Sequence, residues 1–191
     1  MTHLSKLEQF NQSSQQEVVD LLMQCNTSDS WCVQLADKRP VKDCVTLLKT
    51  ADELWKTSTE ADLLQAFEGH PEIGDVSTLR KKYQNTARSA GHEQSGVDSA
   101  SEDILLTLQK ENKAYKEKFG FIFIVCASGK SADEMLALLQ ARLPNSRAKE
   151  LINAAEEQRK ITHIRLTKLF NDVSDINNAN NTNDKKEEQS S

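Results

Sequence analysis

The chain has 191 residues, a formal net charge of −5, 37% hydrophobic and only 5% aromatic residues. One domain with a real core is the default at this length, the acidic balance argues against nucleic-acid binding, which needs a basic face, and no apolar run reaches the 18 residues or so of a membrane span. Six glycines, three prolines and 28% charged residues fit helices joined by short loops better than a β-sandwich.

Residues 1–6 lack the apolar stretch of a signal peptide. The four cysteines, Cys25, Cys32, Cys44 and Cys126, form no Cys-x-x-Cys pair, and three of them fall in helical patterns. Reduced cysteines of a cytoplasmic protein are therefore expected rather than disulfides.

In chain order the pattern is helix after helix. Ser14-Gln15-Gln16-Glu17 has capping-box form and opens a helix with Val18, Leu21, Leu22 and Cys25 on one face. Trp31 lies in a second short helical stretch ending before Pro40, and Cys44, Leu47, Leu48, Ala51, Leu54 and Trp55 recur at helical spacing. Thr59-Glu60 opens a short helix carrying Leu63, Leu64 and Phe67. Residues 76–90 are polar, with Val76, Leu79 and Tyr83 as anchors of a further helix, and Gly91 and Gly96 bracket a loop. Ser101-Glu102-Asp103 starts a helix with Ile104, Leu105, Leu108 and Tyr115 as its apolar side. Residues 133–143 form another, with Met135, Leu138 and Leu139 inward, and Ser146 caps the last, which runs to about Phe170. Beyond Val173 the composition turns to Ser, Asn, Asp, Lys and Glu, which predicts a disordered polar tail over 174–191.

One stretch breaks the periodicity. Phe119-Gly120-Phe121-Ile122-Phe123-Ile124-Val125 is β-branched and aromatic, and in isolation it reads as a buried strand. Nothing else in the chain offers it a partner, so it is expected as an extended segment threading a helical core. Its backbone groups then need other partners, which makes them available to a bound ligand.

Two polar features stand out. Gly69-His70-Pro71-Glu72-Ile73-Gly74 stops a helix: Gly69 suits a left-handed residue past the end, and Pro71 cannot continue it. His70 is then held in restricted backbone at the negative end of a helix dipole, which favours its protonated form. This mounting suits an acid–base histidine and equally an ordinary helix stop. In the last helix the inward stripe reads Leu151, Ala154, Ile161 and Leu169, with Gln158 and Arg165 in its midst. An arginine there pairs with a core acid, bends its stem to the surface, or aims its fork at a bound carboxylate or phosphate.

Other candidates are weaker. Glu93, His92 and His163 suit solvated positions, and a metal site built from His70, His92, His163 and Glu93 lacks the usual ligand spacing. No Gly-rich phosphate loop, Gly-x-Ser-x-Gly elbow or dinucleotide fingerprint occurs.

Four stretches in order carry a resemblance. They are Phe67-Glu68-Gly69-His70-Pro71-Glu72-Ile73-Gly74; Glu93-Gln94-Ser95-Gly96-Val97; Tyr115-Lys116-Glu117-Lys118 continuing through Val125; and Glu157-x-x-Lys160-Ile161-x-x-x-Arg165-Leu166. Trp31 and Arg39-Pro40 fit upstream. Over roughly residues 4–170 the chain resembles the 2-oxo-4-hydroxy-4-carboxy-5-ureidoimidazoline (OHCU) decarboxylase family.

The resemblance implies an all-α fold, with no cofactor and no metal, commonly a homodimer. It implies release of CO2 from OHCU to give (S)-allantoin, the last step from urate. His70 matches the catalytic histidine and Pro71 the proline that sets it; Glu93 and Gln94 match polar residues that bind the substrate, and Glu93 is expected to help His70 in catalysis. Arg165 matches a substrate-binding arginine, and Phe123, Ile124 and Val125 match the extended segment lining the pocket. The family often places a serine three residues before the glutamate; here that place is Ala90, and the serine is Ser89, one residue earlier.

The expectation is thus a compact all-α single domain over residues 1–173, of about seven to nine helices with one extended core segment near 121–125. The rival expectations are a helical interaction domain without catalysis and a metal-dependent hydrolase built on the histidines.

Overall fold

Ser5, Ser14 and Ser131 each open a helix by accepting a backbone N–H three residues on, and Glu8, Glu17 and Glu134 return the bond to the cap backbone. These reciprocal pairs satisfy N–H groups that a helix start leaves without partners. In the computed structural model the described residues are 4–72, 77, 79–80 and 98–170. Among them the elements are α1 (Lys6–Gln12), α2 (Gln15–Met23), α3 (Asp29–Ala36), α4 (Cys44–Lys56), α5 (Glu60–Glu68), α6 (Asp98–Phe119), α7 (Ala132–Arg142) and α8 (Arg147–Phe170). The all-α expectation holds, with eight helices and no strand among the described residues.

Two details differ from the sequence reading, and a third region is described only in part. Helix α1 was not anticipated; at seven residues it is too short to display a period and buries only Phe10. Helix α6 begins at Asp98, three positions before Ser101. Residues 77, 79 and 80 are helical and Leu79 is buried, but the rest of the helix expected over 76–90, the loop at Gly91 to Gly96 and the tail over 174–191 lie outside the described residues.

The chain groups into two compact units, Met1–Asp62 with Ile161–Ser191, and Leu63–Lys160. In the first, Val18, Leu22, Trp31, Leu35, Leu47, Leu166 and Phe170 are buried. Phe10 meets Phe170 edge-on at 5.1 Å, and the Trp31 indole N–H donates to the Ala51 carbonyl at 3.1 Å. Arg39 donates to the carbonyls of Phe10, Ser13 and Ala36. One cation thus ties the α1 end to the α3 end, satisfying carbonyls that no helical N–H reaches. Cys25 and Cys32 are buried and all four cysteines are free, as expected; burial pushes the Cys25 thiol up to about 11 and the Cys32 thiol up to about 12. Neither is a ready nucleophile.

In the second unit an aromatic cluster forms the core. Tyr115 stacks near Phe119 at 4.5 Å and Phe123 at 5.2 Å, and Phe67 lies 5.4 Å from Phe121. Four of these rings come from α6 and the stretch after it, because Gly120 turns the chain sharply at the helix end. Gly120 has φ 80°, the left-handed value that glycine takes without a Cβ penalty, and its N–H closes the last turn on the Lys116 carbonyl at 2.9 Å.

The deepest line of α8 also differs from the predicted stripe. It is Glu150, Ala154, Gln158, Thr162, Leu166 and Phe170, one residue every four. Burial follows the i, i+4 ridge of the helix, so Leu151, Ile161 and Leu169 flank it at partial exposure.

Glu150, with no exposed surface, is the most demanding member of that line. Its carboxylate accepts from the Tyr115 hydroxyl at 2.5 Å, from the Asn145 amide at 2.8 Å, from the Asn153 amide at 3.1 Å and from the Arg142 guanidinium. Burial alone pushes this carboxyl up, but the bonds from Tyr115, Arg142 and Asn145 outweigh it and hold it below the ordinary value of 4.5. Below that value the unfolded chain takes up the proton more readily than the folded one, so this contribution to stability is present above pH 4.5 and lost as the pH falls. Replacing Glu150 by Ala strands Arg142, and denaturant melts at pH 7 are expected to show a loss of roughly 3–5 kcal/mol. The stability difference between the two proteins should shrink as the melts are repeated at lower pH.

Candidate functional site

Helix α5 presents the histidine. Thr59 opens it reciprocally with Asp62: the Asp62 N–H donates to Thr59 Oγ1 at 3.3 Å and the Thr59 N–H to Asp62 Oδ2 at 2.8 Å. Ala66 and Phe67 bury its inner face, and the helix stops at Glu68. The His70 N–H still reaches the Phe67 carbonyl at 3.1 Å, a tightened last turn. The positive-φ glycines among the described residues are Gly120 and Gly129, so Gly69 does not take the left-handed form the sequence suggested. Pro71 suffices to stop the helix, since it has no N–H to donate. Pro71 and Glu72 are exposed. Glu72 accepts from Lys116 at 2.7 Å, a surface pair of small energetic weight.

His70 itself is partly buried. Its Nε2 lies 2.5 Å from Oε1 of Gln158, whose side chain is fully buried on α8.

The extended segment after α6 is as anticipated: residues 122–127 take neither helix nor strand, and Phe121, Phe123 and Ile124 are buried while Val125 is partly so. Its backbone partners are side chains. Arg142 Nη1 donates to the Ile124 carbonyl at 2.8 Å, and its guanidinium sits 4.7 Å from the centre of the Phe123 ring. The Cys126 N–H donates to Glu157 Oε2 at 2.7 Å, and Arg147 Nε donates to the Phe119 carbonyl at 3.1 Å. The expectation of backbone groups left for a ligand is therefore corrected at the Ile124 carbonyl and Cys126 amide, which the protein's own side chains engage. Glu157 also accepts from Lys160 at 2.6 Å. Burial pushes the Glu157 carboxyl up; the bonds from Lys160 and the Cys126 amide prevail and hold it below its ordinary value, so it is an ionised acceptor at neutral pH.

Arg165 is partly buried on α8, within the other unit. Its Nη1 donates to the Cys25 carbonyl at 3.1 Å, just past the end of α2. Among the described residues no carboxylate pairs with it, which removes the reading of Arg165 as half of a core ion pair with a described acid. Nearby, Asn26 Nδ2 donates to Thr162 Oγ1 at 3.3 Å and Asn26 Oδ1 accepts the Ser28 N–H at 3.0 Å.

Ser89, Glu93 and Gln94 lie outside the described residues, as does His92. Among the described residues no group of three or more His, Cys, Asp or Glu side chains is arranged to hold a metal ion, and no helix is long and apolar enough to cross a membrane. Gln158 stood out in the sequence only as a polar break in an apolar stripe, and Arg142 and Glu150 gave no signal there. Glu157 lay inside the Glu157-x-x-Lys160 motif, which shows its spacing but not its bond to Cys126.

The described residues are all-helical in their regular structure, with a histidine just past a proline-stopped helix and seated against a buried amide. The chain belongs to the OHCU decarboxylase family, whose model matches residues 11–167. It is 36% identical over 149 residues to the uric acid degradation bifunctional protein TTL of Arabidopsis thaliana, spanning 78% of this chain and 46% of that protein. It is 24% identical over 170 residues to 2-oxo-4-hydroxy-4-carboxy-5-ureidoimidazoline decarboxylase of Haloferax volcanii, 88% of this chain and 98% of that one. Its fold is similar to the crystal structure of an OHCU decarboxylase in the presence of (S)-allantoin, with a TM-score of 0.65 and 36% identity over 80% of this chain and 99% of the other. The chain thus spans less than half the length of the plant bifunctional relative.

If Glu157 carries the Cys126 end of the extended segment, replacing it by Ala frees that amide. Hydrogen exchange followed by NMR should then show the Cys126 N–H exchanging about tenfold faster or more, as for the loss of one charge-assisted bond, while Glu157→Gln, which keeps an acceptor oxygen, retains most of the protection.

Proposed function

We propose that this chain catalyses the decarboxylation of OHCU to (S)-allantoin and CO2 without a cofactor. The observation that carries the reading is the family match over residues 11–167, together with a partly buried His70 anchored at Nε2.

The chemistry suits a site with no prosthetic group. The bond from ring carbon C4 to the carboxylate breaks and CO2 leaves. Its electron pair forms the C4–C5 double bond, while the neighbouring C=N pair moves to the ring nitrogen, which takes a proton. The substrate is its own electron sink. The resulting enol then gives up its hydroxyl proton, C4 becomes a carbonyl, and C5 takes a proton on one face to give the S product. The protein must position the ring, exclude water and move protons.

In this reading His70 exchanges protons at the C4 hydroxyl and carboxylate, set by Pro71 and helped by Glu93. Arg165 grips the carboxylate or a ring carbonyl with its planar fork; the lack of a described carboxylate partner supports that role. Gln94, Ser89 and the backbone of Phe123, Ile124 and Val125, apart from the Ile124 carbonyl that Arg142 engages, hold the ureido and ring amides. The functional part is taken as residues 1–173, which enclose the whole family match. The protein is proposed to work as a homodimer in the cytoplasm.

The test generates OHCU from urate with upstream enzymes and follows optically active allantoin by circular dichroism. His70→Asn should fold normally and lose turnover by about a hundredfold or more; a folded, fully active variant contradicts the assignment. Arg165→Lys should raise KM about tenfold with a smaller change in kcat, since a point charge cannot copy a bidentate fork. An unchanged KM removes Arg165 from the binding site.

A further inference from the structure

We propose that Gln158 is a positioning residue: it holds His70 in the Nε2–H form and thereby assigns proton exchange with substrate to Nδ1. The inference rests on the reading of His70 as the acid–base group.

The argument starts from what each atom can do. Gln158 Oε1, an amide oxygen, only accepts, and it lies 2.5 Å from His70 Nε2. The proton of that bond therefore belongs to Nε2. A neutral imidazole protonated at Nε2 carries its lone pair on Nδ1, so the ring gains and loses its exchangeable proton there. Gln158 is well suited to enforce the choice. It has no exposed surface, and it sits on the deepest line of α8 between Ala154 and Thr162, one turn to either side. A helix interior gives its Cα little freedom, and a buried amide oxygen loses free energy if left without a donor.

The amide also differs from the carboxylate that commonly backs a catalytic histidine. A carboxylate fixes the ring and adds a negative charge beside it, which favours the imidazolium. An amide fixes the ring and adds none. The amide thus orients His70 and adds no charge of its own, as suits a group that must both take and return a proton in one turnover.

The experiment uses the full chain labelled with 15N. Two-bond proton–nitrogen correlation of the His70 ring, at a pH where it is neutral, should show the Nε2–H tautomer. In Gln158→Leu the two tautomers should mix, with kcat falling about tenfold or more and KM changing less than about twofold. Gln158→Glu keeps an acceptor of the same reach; it should retain the Nε2–H form and move the pH profile of kcat to higher pH, and it serves alone should the leucine variant not fold. A wild-type ring protonated at Nδ1, or a Gln158→Leu protein with unchanged tautomer and kcat, overturns the proposal. Wild-type protein without any OHCU turnover overturns the functional reading instead, and the ring spectrum still decides the tautomer.

Discussion

A polar side chain taken out of water costs free energy until something pairs with it, and α8 takes three of them out of water along one line: Glu150, Gln158 and Thr162. Each is answered by a different part of the chain. Glu150 gathers Tyr115 of α6, Arg142 of α7 and the amides of Asn145 and Asn153. Gln158 meets His70. Thr162 accepts from Asn26 in the connection between α2 and α3. A line of leucines in their place would bury as much surface and bond nothing. Pairs of this kind add little net stability over apolar replacements; what they add here is place, since each bond requires a particular neighbour in a particular orientation.

Arg142 extends the same logic into the extended segment. Its guanidinium meets Glu150, donates to the Ile124 carbonyl and lies against the Phe123 ring. Five donors in a rigid plane can serve several acceptors at once, which an ammonium cannot. With Glu157 on the Cys126 amide, side chains supply what a neighbouring strand would otherwise give. The segment therefore keeps a backbone that is neither helix nor strand, and the Tyr115 and Phe119 rings pack with its Phe121 and Phe123.

What could be read from the sequence follows the range of each interaction. The Ser14 capping box, the Thr59 opening and the Ser146 cap depend on residues three apart, and all three are found. The refusal to count residues 121–125 as a strand was also correct, because a strand without a partner leaves its backbone unpaired. Periodicity alone gave the α8 face only as an average, one position off, since the neighbours decide which ridge sinks deepest. The left-handed glycine was placed at Gly69 but occurs at Gly120; both follow apolar helices, and only the chain direction afterwards separates them. At the candidate site, residue types such as His70 and Arg165 were visible. Their partners, Gln158 and the Cys25 carbonyl, lie 88 and 140 positions away and carry no local signal. The family was legible through its motifs, not through composition or spacing.

The central proposal is that His70, tied at Nε2 to Gln158, meets the substrate. A crystal structure of this chain with (S)-allantoin bound tests it most directly. The account predicts a ligand with a polar atom within about 3.2 Å of a His70 ring nitrogen. A well-defined ligand that does not touch His70 contradicts it.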